Sequence, residues 1–308
     1  MKKLLAVTVI FLFFCGCGAE VNDAAEEFSY TQSASVTEIS TQMPGSLHGE
    51  ITPAGIDGQT APIVSPSSFP AEFSPLPTAT ASAQKKTIGV FYAGRGENAR
   101  YLVAIDAGHQ QQGISEKEPN GPGSSVQKAK LSSGTAGKAT RVPEYQLNLT
   151  VSLALREELL NRGYSVYMIR TTNDAPVSNK ERAEMANAAG ADIFLRIHAN
   201  GSEDPSVRGA MMVCQSRTNP YTQQYEASRR LSETVLQGYC RSTQIPKQKG
   251  NAVWETDTMT GINWCKVPSS TLEMGYMSNL EDDLAMAEED FAPAAARGIA
   301  DGIDAYFG

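Results

Sequence analysis

Two histidines and two glutamates define the chemistry open to this sequence. His109 and His198 each stand at the carboxyl end of a short apolar run, the first following YLVAID (101–106) and the second closing DIFLRIH (192–198). Such runs read as buried strands, and in α/β folds sites form beyond the carboxyl ends of strands. Two imidazoles placed there can converge on one metal ion. Catalytic zinc commonly takes three protein ligands from His, Cys and carboxylate and leaves a fourth position to water. Glu144 is a candidate third ligand, because it opens a helix behind Pro143, although an acid in a first helical turn is also an ordinary complement to the helix dipole. Glu116 and Glu118 are rivals, set in a Gly-rich stretch where ordering them costs more entropy. Glu273 lies between Leu272 and Met274 in SSTLEMG (269–275). A carboxylate inside an apolar strand is penalised unless it is paired, metal-linked or protonated, the alternative being an edge strand with Glu273 turned to solvent. Facing a metal-bound water, its raised basicity would suit proton transfer near neutral pH.

The elements that must hold these residues can be read in outline. After the first strand, residues 110–142 are polar and rich in Gly, Ser and Lys; they show no periodicity and are long for a connection, which predicts a surface insertion. Pro143 suits a first helical turn, and Leu147, Val151, Leu155 and Leu159 recur at helical spacing up to Gly163. YSVYMIR (164–170) alternates as a strand. Ser178 and Glu181 form a capping-box pattern for a helix that Gly190 closes. GAMMVCQ (209–215) and SSTLEMG read as further strands, Asn219 and Pro220 start a helix running to about Arg241, and Phe291, Ile299, Ile303 and Phe307 mark a final helix. Strands alternating with helices predict an α/β fold with a mainly parallel or mixed sheet covered on both faces.

The first 97 residues differ in kind. Lys2 and Lys3, the apolar run LLAVTVIFLFF (4–14) and then Cys15, Gly16 and Cys17 have the layout of a secretory signal. The run is shorter than the roughly 20 residues of a membrane span, and its F-C-G-C end is similar to a lipobox, making Cys17 a candidate for lipidation and membrane anchoring. Residues 18–97 are expected to be a Ser/Thr/Pro-rich disordered tether, with the folded domain spanning 98–308. The third histidine, His48, falls in this tether. The stretch 18–83 holds eight acids and no Lys or Arg; setting these and the two leader lysines aside leaves 24 basic and 26 acidic residues from Lys85 onward. No basic stripe of the kind nucleic acid requires is present. Of the cysteines beyond the leader, Cys214 lies in an apolar run, so Cys240 with Cys265 is the pair to test for a disulfide.

Four segments, VAIDAGHQ (103–110), PEYQLNLTVSLALREELLNRGYSVYMIR (143–170), NKERAEMANAAGADIFLRIHANGS (179–202) and VPSSTLEMGYMSN (267–279), resemble in order the blocks of the zinc-dependent N-acetylmuramoyl-L-alanine amidases. The resemblance covers nearly all of the expected folded part. It implies a single α/β domain with a twisted mixed, mainly parallel sheet and helices on both faces. It also implies Zn2+ ligands at His109, Glu144 and His198, a catalytic Glu273, and hydrolysis of the amide between N-acetylmuramic acid and L-alanine. Arg182 and Asn200 fall in matching blocks as structural, rim or substrate-binding residues, and Asp106 could orient a ligand histidine. Peptidoglycan would be the substrate of a monomeric, exported protein at the outer face of the membrane or in the wall. Gln110, the long insertion before Glu144 and Arg196 depart from the family pattern. A zinc peptidase acting on wall peptides and a non-catalytic wall-binding lipoprotein are the alternative readings.

Overall fold

The computed structural model describes residues 87–308; the leader, Cys17 and the expected tether as far as residue 86 lie outside the described residues. A seven-stranded sheet has the order β1–β5–β2–β6–β9–β7–β8. Its strands are β1 (Ile88–Tyr92), β2 (Leu102–Ala107), β5 (Ser165–Arg170), β6 (Ile193–Asn200), β7 (Met211–Gln215), β8 (Val253–Thr256) and β9 (Ser269–Tyr276). β5, β2, β6 and β9 run parallel, and so do β7 and β8, whereas β1 pairs antiparallel with β5 and β7 antiparallel with β9. The mixed, mainly parallel sheet is the one expected. Its first strand is not: Ile88–Tyr92 joins the sheet, so the fold begins ten residues before the boundary placed at 98. Gly89, at φ 62, and the exposed Phe91 break the apolar alternation by which a half-buried strand is recognised, so the segment reads like the tether before it.

Side-chain alternation divides the sheet into two unlike faces. Val103, Ile105, Val166, Met168, Ile193, Leu195, Ile197 and Leu272 pack with α1 (Glu144–Asn161), α3 (Tyr225–Thr243) and α6 (Phe291–Phe307) in one apolar core, while two short helices, α4 (Thr260–Asn263) and α5 (Leu280–Met286), precede and follow β9. Ala104 and Phe194 on the opposite face pack with α2 (Asn179–Ala189). α2 begins on the expected capping box of Ser178 and Glu181 and ends at Gly190 with φ 68. α3 starts at Tyr225 rather than at Asn219, because the Asn219 side chain accepts from the backbone N–H groups of Tyr221 and Thr222 and closes a separate turn first.

The insertion 110–142 is not without secondary structure. It contains an antiparallel hairpin of β3 (Ile114–Pro119) and β4 (Gln127–Leu131). The hairpin is tied down at both sides: the Glu118 carboxylate accepts from Lys180 N at the start of α2 (2.9 Å), and Pro119 O accepts from Trp264 Nε1 (2.8 Å). The three cysteines among the described residues are free. Cys240 packs with the apolar core and Cys265 with the α2 cluster, so the sheet itself separates the pair proposed for a disulfide.

Candidate metal centre

The site forms at the carboxyl ends of the adjacent strands β2, β6 and β9. His109 follows β2 by two residues, His198 lies in β6, Glu273 lies directly opposite it in β9, and Glu144 is the first residue of α1. The structure brings together the expected ligands: Glu144 Oε1 is 3.2 Å from His109 Nε2 and 3.3 Å from His198 Nδ1. Among the described residues these three make the one group of His, Cys, Asp or Glu able to hold a metal ion. The rival Glu118 is spent at the start of α2, and Glu116 is exposed in the hairpin.

The residues fit zinc on two counts. Ligands at about 2.0–2.1 Å from a tetrahedral ion lie roughly 3.3 Å apart, which is the spacing Glu144 keeps from both imidazoles. The second count is protonation. His109 Nδ1 sits 2.8 Å from the Ser132 carbonyl and 3.1 Å from Ser132 Oγ; a proton on Nδ1 would be received by the carbonyl, leaving Nε2 as the free nitrogen that a ligand needs. The Nε2 lone pair then points at a carboxylate oxygen, an arrangement that needs a cation or a second proton between them. Burial would lower the His109 pKa, but the Glu144 carboxylate outweighs it and raises it. His198 is pushed down to about 4 by burial and is neutral, as a ligand must be. Glu144 is held below the usual carboxylate range, the two histidines overcoming the effect of burial.

Local structure explains why the three candidate ligands sit as they do. Thr135 N donates to Glu144 Oε2 (2.9 Å), and Ala199 N and Asn148 Nδ2 donate to Oε1 (3.2 Å each), so both carboxylate oxygens are aimed. A Cβ at Gly108 would collide with the His198 imidazole, and one at Gly134, whose φ is 83, would come within 2.6 Å of Glu144 Oε2. Glu273 is pushed up to about 8 by burial, with the nearby Glu144 charge adding to the effect. Its register partner on β7 is Met211, which packs with Val213 and Ile262, so the wall beside this carboxylate is apolar.

Beneath the site lies a layer of buried charge. Asp106 accepts from Arg182 Nη1 (2.6 Å) and Arg196 Nε (2.9 Å), and all three are buried. Burial would raise the Asp106 pKa, but these two guanidiniums hold it far below the usual range. Asp106 therefore pairs with arginines and bonds no ligand histidine, a correction to the expected role. Arg182 is not open to substrate either. It is fully buried, and its five N–H donors go to Val177 O, Asp106 Oδ1, Ala107 O, His109 O and Gln110 Oε1. Gln110, a departure from the family pattern, is thus an acceptor for Arg182. Asn200 is half-buried at the rim, with Oδ1 accepting from Gly201 N. Sequence reasoning missed Asn148 and Arg170. Asn148 follows Glu144 by four residues, a spacing that places both on one helix face and could have revealed it.

The comparisons with known proteins agree with this geometry. Residues 103–305 match the family model described as N-acetylmuramoyl-L-alanine amidase. The chain is 27% identical over 215 residues to N-acetylmuramoyl-L-alanine amidase Rv3717 of Mycobacterium tuberculosis, covering 66% of this chain and 86% of that protein. It is 27% identical over 166 residues to N-acetylmuramoyl-L-alanine amidase LytC of Bacillus subtilis, covering 53% of this chain but 31% of LytC. Among solved structures, N-acetylmuramyl-L-alanine amidase Ami1 of Mycobacterium smegmatis superposes with a TM-score of 0.62 at 26% identity, covering 68% of this chain and 97% of that one. A family match across two thirds of the chain, on a fold that gathers the expected ligand residues at one strand-end rim, places this protein in the N-acetylmuramoyl-L-alanine amidase family.

Proposed function

We propose that the protein hydrolyses the amide joining the lactyl group of N-acetylmuramic acid to the L-alanine of the stem peptide, with zinc held by His109, Glu144 and His198. The observation that carries this reading is the convergence of the three ligand atoms around one point, with Glu273 directly across the sheet pair from His198. Zinc bound there supplies a Lewis acid for the carbonyl oxygen and lowers the pKa of a water toward about 7. Glu273 takes the proton from the attacking water. Its apolar surroundings keep it basic enough for that step, and the same carboxyl then returns the proton to the departing alanine nitrogen. Glu144 and His198 remain fixed as ligands by the hydrogen bonds and close contacts around them.

Action on the wall calls for export, which the Lys2–Lys3 pair and the apolar run 4–14 support, and Cys17 is our candidate for lipid attachment. The test is product analysis on purified peptidoglycan together with metal content. Free lactyl groups and new L-alanine amino termini, lost on chelation and restored by zinc, are the expected result. Cleavage of peptide–peptide bonds alone would replace the amidase reading with a peptidase one.

A further inference from the structure

His109 has φ 58, in the left-handed region that bulky L residues rarely adopt unless their surroundings impose it. Three successive carbonyls around it are taken by side chains from distant parts of the chain. Ala107 O accepts from Arg170 Nε (2.7 Å) and Arg182 Nη1 (2.9 Å). Gly108 O accepts from Arg170 Nη2 (3.0 Å) and Asn148 Nδ2 (3.2 Å), and His109 O accepts from Arg182 Nη2 (3.1 Å). Arg170 is as completely buried as Arg182. Its remaining donors go to Thr172 O, Asn173 Oδ1 and, from the same Nη2 that holds Gly108, to Tyr145 O at 2.8 Å. One nitrogen therefore joins the residue before His109 to the residue after Glu144.

We infer that Arg170, seconded by Arg182, is a positioning residue: its rigid fork imposes the left-handed backbone at His109 and sets the spacing between His109 and Glu144. The inference rests on the reading of these two residues as metal ligands. A hydrophobic side chain could fill the same volume, but it would leave five acceptors, two of them in buried hydrogen bonds, with fewer partners and the loop free to relax. Lysine is not equivalent, since an ammonium cannot present donors along two edges of a plane.

The test uses Arg170→Lys in the full chain, with Arg182→Lys as a second variant and Arg162→Lys as the control. Arg162 bonds Glu158, Asp301 and Asp304, an ion-pair network outside the site. Zinc affinity is read by competition with a chromogenic chelator, coordination geometry by the visible absorption of the cobalt(II)-substituted protein, and folding by circular dichroism and melting. Arg170→Lys should weaken zinc binding on the order of 10- to 100-fold and alter the cobalt spectrum. Arg162→Lys should leave both unchanged even where it melts earlier. A folded Arg170→Lys that binds zinc within about twofold of the parent with the same spectrum overturns the inference, and so does an equal loss in Arg162→Lys. Should Arg170→Lys not fold, Arg182→Lys carries the same expectation and the same overturning result through the His109 carbonyl. A parent protein that binds no zinc defeats the metal reading instead, and that outcome is visible before any variant is made.

Discussion

The two faces of the central sheet are built from the same strands and do opposite work. Along β2 and β6 the residues Val103, Ile105, Ile193, Leu195 and Ile197 fill an apolar core under α1, α3 and α6. The intervening residues run from Ala104 and Phe194 through Asp106 and Arg196 to His198 at the rim. This second face changes from hydrocarbon to buried ions to chemistry over three alternate positions. An apolar layer is stabilised by area removed from water and tolerates volume-conserving exchange. A buried ion layer is held only while every charge keeps its partner. The face that carries the site is therefore the one in which single substitutions should reach furthest.

The largest effects are expected at the rim. His198→Ala should lose both zinc and hydrolysis, whereas Glu273→Ala should keep zinc and lose turnover by roughly 10²–10⁴-fold; zinc analysis beside a wall-hydrolysis assay separates the two, and equal zinc loss would contradict the assigned roles. One layer down, Asp106→Asn leaves Arg182 and Arg196 uncompensated and should cost about 3–5 kcal/mol of stability by denaturant titration. The sign of its pH dependence follows from the depressed carboxyl. The stability Asp106 contributes is present above its unfolded-state pKa of about 3.9 and is lost as pH falls toward the folded value. The parent should thus lose stability below about pH 4, with a slope shallower by one proton in Asp106→Asn.

On the apolar face, Leu155→Ala, fully buried in α1, should cost about 2–5 kcal/mol yet leave kcat unchanged at temperatures where the variant is folded. A drop in kcat there would mean that the two faces are coupled more tightly than this division allows. The smallest effect is expected at the entry to α2. Ser178→Ala removes a capping bond from Glu181 N and should lower stability by about 1 kcal/mol, measured by thermal melting.

Much of the site was legible because its residues mark element boundaries. His109 and His198 end apolar runs, Glu144 follows a proline at a helix start, and Glu273 interrupts an apolar strand, so local pattern alone singles each one out. Arg170 was hidden for the opposite reason. It ends a strand as an ordinary polar residue would, and its partners are backbone carbonyls that carry no sequence signature. The hairpin in 110–142 escaped because its strands, ISEKEP and QKAKL, are largely exposed and lack the apolar alternation by which a half-buried strand is recognised. β1 escaped because Gly89 and the exposed Phe91 interrupt that alternation within it.

By itself the sequence determined the strands β2, β5, β6, β7 and β9 and the long helices, and which few side chains are chemically able to bind a metal and move a proton, because periodicity, caps and residue type are local properties. Only the tertiary structure decided the order β5–β2–β6–β9, which sets His109, just past β2, beside His198 and Glu273 on the next two strands. It also turned Arg182 and Asp106 from candidate site residues into a buried ion layer. Those outcomes depend on contacts between positions as much as 90 residues apart, such as Arg196 with Asp106, and their energies arise only when the chain has closed around them.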